Sequence, residues 1–389
     1  MTWKLRWAGA AACLLALSSA ARADVQPNPL FTDGAVLQRD VPVTVWGKAA
    51  PEEKVTVTFH GENATATANA DGKWAVKFPK MEAGGPFEMT FKGNNEIVVK
   101  DILIGEVWIC GGQSNMEWTV SRGAEPDKVI AAANFPKIRL LTVQKSSSAV
   151  PLDTFNGKWA ACTPETVKNF SAVGYAFGRN LHEKLNVPVG LISSNWGGTP
   201  AQAWTSAETI ESDKSLEGYA SAAKTQWAEE AKIRAEWEAQ LAEHKKAVEA
   251  AKAEGKAAPP APTPPKNLVV SGRPSGLYNG MIAPLVPYAI RGAIWYQGEA
   301  NAGQPYLYRS LQAAMIRDWR EKFAQGDFTF LITQLAPYQK IVDQPQESNW
   351  AALREAQLLT TKTVPNVGIA VITDVGDEKD IHPKQKEPV

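Results

Sequence analysis

The sequence from 102 to 116 begins with the apolar run Ile102-Leu-Ile-Gly-Glu-Val-Trp-Ile-Cys110 and continues directly into the polar turn Gly111-Gly-Gln-Ser-Asn-Met116. Four later segments repeat this pattern of an apolar run followed at once by polar residues: 187–193, 289–295, 328–333 and 367–373. Amphipathic stretches, such as 173–185 and 307–323, lie between the runs. Apolar strands that alternate with helices in this way predict a mostly parallel, doubly wound α/β sheet.

The polar turns predict where a site should lie. In open α/β sheets, ligands bind beyond the carboxyl ends of the strands. The turns that follow the runs contain Ser114, the segments 195–199 and 297–301, and a last loop with three aspartates and His382. We therefore expect these segments to meet at one edge of the sheet.

The first hundred residues follow a different pattern. From Val41 to about Lys100 the chain consists of short alternating runs that are broken by Gly, Pro, Asn or Asp, which predicts a small antiparallel β-sandwich. The expected division is thus a signal peptide over 1–23, a β-sandwich-like domain over 24–100 and the α/β domain over 101–389. For the β-sandwich, a stabilising role is preferred to the alternative of a carbohydrate-binding or docking module.

The amino terminus has the features of an export signal. Lys4 and Arg6 precede the apolar run 8–17, and Ala21-Arg22-Ala23 fits a signal-peptidase site, so cleavage is expected after Ala23. Export to the periplasm or the medium follows. No later stretch approaches ~20 uncharged apolar residues, so no membrane span is expected.

Composition excludes several classes of function. Lys plus Arg and Asp plus Glu number 41 each, which argues against a nucleic-acid-binding surface. Three cysteines are too few for a disulfide-rich scaffold, and Cys110 and Cys162 could be either paired or free. Since no Cys/His cluster has metal-ligand spacing, neither a metal nor a cofactor is expected. Oligomeric state is left open.

An insertion over 224–265 interrupts the alternation of strands and helices. Between Lys224 and Lys256 it contains seven basic and seven acidic residues, and a Pro-rich linker follows over 257–265. A solvated helix with a narrow apolar stripe is predicted, in preference to a coiled-coil partner helix.

Two residues stand out as a candidate nucleophile and base. His382 is the one histidine of four that follows a predicted sheet strand, and Asp377 and Asp380 precede it closely enough to orient an imidazole. Ser114 lies in a glycine-rich turn after a buried strand, a position that exposes its Oγ. Ester attack also needs donors to an oxyanion; candidates are the Gly197-Gly198 backbone and the side-chain amides of Asn195, Gln297 and Asn301.

Four sequence blocks occur in order across almost the whole chain. They are Gly105-Glu-Val-Trp-Ile-Cys-Gly-Gly-Gln-Ser-Asn-Met-Glu-Trp118, Asn195-Trp-Gly-Gly-Thr-Pro-Ala-Gln-Ala-Trp204, Trp295-Tyr-Gln-Gly-Glu-Ala-Asn301 and Asp380-Ile-His-Pro383. Together these blocks resemble the sialate O-acetylesterase family of the SGNH-hydrolase superfamily. The resemblance implies a flavodoxin-like, three-layer domain that removes O-acetyl groups from sugars.

The resemblance also implies roles for individual residues. Ser114 would be the nucleophile and His382 the general base, with an oxyanion hole formed by the Ser114 N–H, the Gly198 N–H and Gln297, chosen over Asn301. The superfamily usually has its aspartate three residues before the histidine, where this chain has Lys379. Asp380 is therefore the preferred acid, and Asp377 and Glu299 are the alternatives. Relatives continue past the histidine block, so a truncated carboxyl terminus is expected here.

These observations predict a serine esterase that deacetylates carbohydrates, with O-acetylated sialic acid as the preferred substrate. An esterase acting on acetylated xylan or another plant polysaccharide is the first alternative. The alternative from another class is an inactive carbohydrate-binding protein.

Overall fold

A computed structural model describes residues 24–265, 267–344 and 346–389. The predicted signal peptide, 1–23, lies outside the described residues. The strands are β1 (Gln26–Pro27), β2 (Val36–Gln38), β3 (Val43–Lys48), β4 (Lys54–Phe59), β5 (Glu62–Thr67), β6 (Lys73–Phe78), β7 (Gly84–Lys92), β8 (Glu96–Gly112), β9 (Phe135–Thr142), β10 (Ala160–Cys162), β11 (Val189–Asn195), β12 (Gly292–Tyr296), β13 (Thr329–Thr333) and β14 (Val367–Ala370). The α-helices are α1 (Ser114–Glu117), α2 (Pro126–Ala131), α3 (Pro164–Val167), α4 (Ala172–Leu185), α5 (Ala207–Ser212), α6 (Glu217–Ala253), α7 (Pro305–Phe323) and α8 (Asn349–Thr363).

A parallel sheet forms the centre of the α/β part. Its strand order is β10-β9-β11-β8-β12-β13-β14, and only the edge strand β10 runs antiparallel to its neighbour among these described strands. Helix α7 packs on one face, where Ile109 and Trp295 are buried, and α4 packs on the other, where Cys110 and Tyr296 are buried. The predicted fold class, a three-layer α/β domain preceded by a small antiparallel β unit, is confirmed.

The amino-terminal strands form the predicted β-sandwich. One sheet has the order β1-β3-β6, and the other joins β5, β4, β7 and the first part of β8 by antiparallel pairing. Their inward side chains alternate with exposed ones, as in β6, where Trp74, Val76 and Phe78 are buried. This period-two alternation is the pattern that predicts strands with one buried face.

The charged insertion forms a longer helix than its charge pattern predicts. Helix α6 has 37 residues and begins at Glu217, where Tyr219 is buried. Trp227 anchors its first half, because the indole Nε1 donates to Pro274 O at 3.0 Å and the ring packs against Gly276. Among the described helices, none combines the length and apolar composition needed to cross a membrane.

A buried carboxylate lies where the sandwich meets the parallel sheet. Glu106 on β8 is 3% exposed and receives hydrogen bonds from Arg39 Nε at 2.5 Å and Arg291 Nε at 2.8 Å. Burial by itself would raise the pKa of Glu106, but the hydrogen bonds from Arg291 and Arg39 outweigh it and the pKa is lowered. Arg39 directly follows β2 and Arg291 directly precedes β12, so the two arginines reach Glu106 from opposite sides of the junction.

We expect Glu106→Gln to lower the free energy of unfolding at pH 7 by roughly 1.5–3 kcal/mol, because hydrogen bonds from two arginines to a buried charged group are lost. The lowered pKa means that this stabilisation is complete above the unfolded-state pKa of about 4.3 and is lost as the pH falls through the folded-state value. Urea denaturation of both proteins at a series of pH values measures the difference. Glu88→Gln, which removes an exposed partner of Lys100, is the control and should change stability by less than about 0.5 kcal/mol.

Candidate active site

Ser114 begins the short helix α1 directly after β8. The turn is sharp because Gly112 has φ of +137°, and a Cβ at that position would lie 2.2 Å from the Tyr296 carbonyl oxygen. The Gln113 N–H then donates to the same Tyr296 oxygen at 3.0 Å. A glycine is therefore required for Ser114 to reach the carboxyl end of the sheet.

The structure brings Ser114 and His382 together. His382 Nε2 lies 2.9 Å from Ser114 Oγ, and Nδ1 lies 3.2 Å from Asp380 Oδ1. These distances fit a neutral imidazole that donates from Nδ1 to the carboxylate and accepts the serine proton at Nε2. The Trp118 ring stacks on the imidazole with a centroid separation of 5.2 Å and an interplanar angle of 21°. The ring plane of His382 is thus held by a carboxylate and by an indole.

The two alternative acids have other partners. Asp377 Oδ1 accepts the N–H groups of Lys379 and Asp380, at 2.7 and 3.0 Å, and these hydrogen bonds lower its pKa. Asp377 therefore shapes the loop that carries His382. Glu299 is half-buried as a residue, but its Oε2 is buried; its Oε1 accepts Asn115 Nδ2 at 2.6 Å, and burial of the carboxyl raises its pKa. Of the three candidate acids, Asp380 is the one that the structure places against the imidazole.

The hydrogen bonds of Gln297 argue against its expected role as the third oxyanion donor, because both of its amide N–H groups already have acceptors. Gln297 is fully buried, and its Nε2 donates to Thr199 O at 3.2 Å and to Asn301 Oδ1 at 2.8 Å. The Asn301 amide is engaged too, because its Nδ2 donates to Gln202 Oε1 at 3.0 Å. Both N–H groups of Gln297 are therefore used within the protein, and one of the two of Asn301 is, so Gln297 has no free donor for an oxyanion.

The glycine turn after β11 lies beside the serine. Gly197 packs against Ser114, since a Cβ on it would lie 3.3 Å from the serine Cβ, and its N–H donates to Glu117 Oε2 at 2.5 Å. Glu117 Oε1 accepts Lys145 Nζ, also at 2.5 Å. Gly198 has φ of +73°, and a Cβ added to it would meet no atom within 4 Å. The Gly197 N–H is therefore engaged by Glu117, whereas the Gly198 N–H does not donate to Glu117.

Several residues of the site were not identified from the sequence. Gln113 Oε1 accepts the Ala300 N–H at 3.2 Å and so ties the serine turn to the turn after β12. The site also contains Asn115, Glu117 and Trp118. These residues lie in the first sequence block beside Ser114, so their position in that block could have identified them. Lys386, whose Nζ donates to Asn115 Oδ1 at 2.5 Å, lies outside every block and had no such signal.

Comparison with known proteins finds relatives over most of the chain. Residues 271–387 match a family described as "Carbohydrate esterase, sialic acid-specific acetylesterase". The sialate O-acetylesterase of Mus musculus is 30% identical over 91% of this chain and 69% of its own length. A carbohydrate acetylesterase from Xanthomonas citri is 35% identical, with a TM-score of 0.75 over 93% of this chain and 72% of its own.

The chain belongs to the sialate O-acetylesterase family. The family resemblance predicted from the four sequence blocks is thereby confirmed, and the family is one of carbohydrate esterases. The Homo sapiens member is 29% identical over 91% of this chain, which spans 66% of the human protein's length.

The geometry predicts which carboxylate matters for ester hydrolysis. We expect Asp380→Asn to reduce kcat on 4-nitrophenyl acetate by orders of magnitude, because an amide stabilises the wrong imidazole tautomer; the same change in a serine protease cost about 10⁴. Asp377→Asn is the matched control and should reduce kcat much less, since its carboxylate only caps the loop. If Glu299→Gln lowered kcat by orders of magnitude and Asp380→Asn lowered it only slightly, Glu299 would be the acid.

Proposed function

We propose that this protein is a serine esterase that removes O-acetyl groups from carbohydrates, and that O-acetylated sialic acid is its preferred substrate. The observation that carries the proposal is the contact of 2.9 Å between Ser114 Oγ and His382 Nε2, with Asp380 on the far side of the imidazole. A hydroxyl, a neutral imidazole and a carboxylate in this order form an activated nucleophile.

The reaction would proceed in two halves. Ser114 Oγ attacks the acetyl carbonyl carbon while His382 Nε2 takes its proton. The tetrahedral intermediate collapses, the sugar hydroxyl leaves with the proton from His382, and acetyl-Ser114 remains. Water then attacks the acetyl group with His382 again as base, and acetate leaves as Ser114 recovers its proton.

Backbone donors supply the oxyanion hole in this proposal. The Ser114 N–H lies in the first turn of α1, where N–H groups have no acceptor within the helix. From the neighbouring turn we assign the Gly198 N–H, because Gly197 donates its own to Glu117. Gln297 is no longer assigned, for the reason given above.

Two alternatives remain for the experiment to separate. The sialic-acid preference is supported by the family description, whereas an acetylated plant polysaccharide would use the same chemistry. An inactive sugar-binding protein is opposed by the intact Ser114–His382–Asp380 contacts.

We expect Ser114→Ala to lower acetate release by roughly 10⁴-fold or more, because no other group accepts the acetyl. Ser212→Ala changes an exposed serine at the end of α5 and is the control; it should have wild-type activity. Circular dichroism and Tm would show that both variants fold. Turnover by Ser114→Ala equal to that of the wild type would refute the covalent mechanism.

Substrate preference is measured as acetate release from O-acetyl sialic acid and from acetylated xylan at equal acetyl concentration. We expect a higher kcat/KM on the sialic acid. A higher value on xylan would assign the enzyme to plant polysaccharides, and no release from either would leave the sugar-binding alternative.

A further inference from the structure

The side-chain amide of Asn115 joins three of the loops that form the site. Asn115 is 1% exposed, and its Nδ2 donates to Glu299 Oε1 at 2.6 Å and to the Ile381 carbonyl oxygen at 2.9 Å. Its Oδ1 accepts Lys386 Nζ at 2.5 Å. Asn115 directly follows Ser114 and Ile381 directly precedes His382, so this amide connects the backbone beside the nucleophile to the backbone beside the base.

Lys386 is an unusual donor because it is buried. Lys386 is only 4% exposed, and its ammonium lies 5.6 Å from the Trp118 ring centroid and 5.5 Å from the Tyr296 ring centroid. Lysine is almost never fully buried without partners, since removing its charge from water is costly. Here two ring faces and an amide oxygen surround the charge.

The charged groups around Lys386 come from several elements. Glu299 in the turn after β12 and Asp380 in the His382 loop both favour its protonated form. Tyr296 on β12 stays neutral, because burial raises its pKa well above the usual value. His382 stacks on the same Trp118 ring, and the neighbouring Glu387 pairs with Arg179 on α4.

Glu299 needs a cation nearby. Its carboxyl is buried, its Oε2 has no hydrogen-bond partner among the described residues, and burial raises its pKa. The positive charge of Lys386 opposes that rise. The Glu299 carboxyl and the Lys386 amine thus lie on either side of the Asn115 amide, and the positive charge of Lys386 makes ionisation of Glu299 less costly.

We propose that Lys386 is a positioning residue of the esterase reaction, whose protonated amine acts through Asn115 to hold the Ser114 turn and the His382 loop in contact. This inference rests on the proposed function. Lys386 does not need to touch the substrate in this role, because it acts on the geometry of the two residues that do.

A pH dependence follows from the burial of the amine. Burial lowers the pKa of Lys386 to about 8, against the opposing effect of Glu299 and Asp380. The amine is therefore charged at neutral pH and loses its proton as the pH rises through this value. Asn115 then loses its charged donor, and the positive charge beside Glu299 is lost, so kcat should fall on the alkaline side.

The experiment compares wild type, Lys386→Met and Lys384→Met on 4-nitrophenyl acetate from pH 6 to 9.5, corrected for spontaneous hydrolysis. Lys384 is exposed two residues away and serves as the matched control. At pH 7 we expect Lys386→Met to lower kcat by about ten- to hundred-fold, the range for losing a buried charged hydrogen bond, with little change in KM. Its kcat should show no alkaline fall, whereas wild type and Lys384→Met should both show one.

A Lys386→Met kcat within about twofold of wild type, or with the wild-type alkaline fall, would overturn the proposal. Should this variant not fold, Lys386→Gln, which keeps a donor without the charge, is measured in its place. A level wild-type kcat from pH 7 to 9.5 also overturns it, whatever the variants do. Wild-type turnover no faster than that of Ser114→Ala refutes the proposed function and this inference with it, whereas normal turnover with an unaffected Lys386→Met refutes the positioning role alone.

Discussion

Strand β8 belongs to both sheets, and the position of every other part of the site follows from it. Its first residues pair antiparallel with β7 in the sandwich, and its last seven pair in parallel with β11. At the changeover, Gly105 lies so close to Pro188 that a Cβ would be 2.0 Å from the proline carbonyl oxygen. Glu106 follows directly and binds arginines from both sides of the junction. The sandwich therefore supports the strand that delivers the nucleophile.

The parallel register then aligns the loops. Asn195 and Tyr296 both pair with Gly112, so the turns after β11 and β12 begin level with the serine turn. Polar contacts fix these turns to one another: Gln113 to Ala300, Glu117 to Gly197, and Asn115 to Ile381. Because each contact is between a side chain and a backbone group, the loops are held without occupying the serine hydroxyl. A site preorganised in this way needs little rearrangement when charge develops on the substrate.

Local chemistry explains what the sequence could predict. The central strands were predictable because each is a short apolar run, and Ser114 and His382 because a glycine turn and a single well-placed histidine narrow the choice. Strand β9 was missed, since Pro136, Lys137 and Arg139 interrupt its apolar pattern. Gln297 was misassigned because a sequence does not show which way an amide points within a turn. Lys386 was missed because a lysine near the carboxyl end is normally solvated, and only the tertiary structure brings Glu299, Trp118 and Tyr296 around it.

The unusual spacing of the acid has a physical explanation in this loop. Asp380 Oδ1 accepts both the imidazole Nδ1 and the main-chain N–H of His382, the latter at 2.8 Å, so a carboxylate two residues before the histidine closes a tight turn on it. A residue three before is then not needed, and Lys379 occupies that position with its side chain in solvent. The Asp380 side chain is 52% exposed, however, and water weakens the field of an exposed carboxylate. Such a group can select the tautomer but holds the loop only weakly, whereas the buried contacts of Asn115 are little screened. Asp380, at the surface, thus orients the imidazole ring, whereas Asn115, in the interior, fixes the position of the loop.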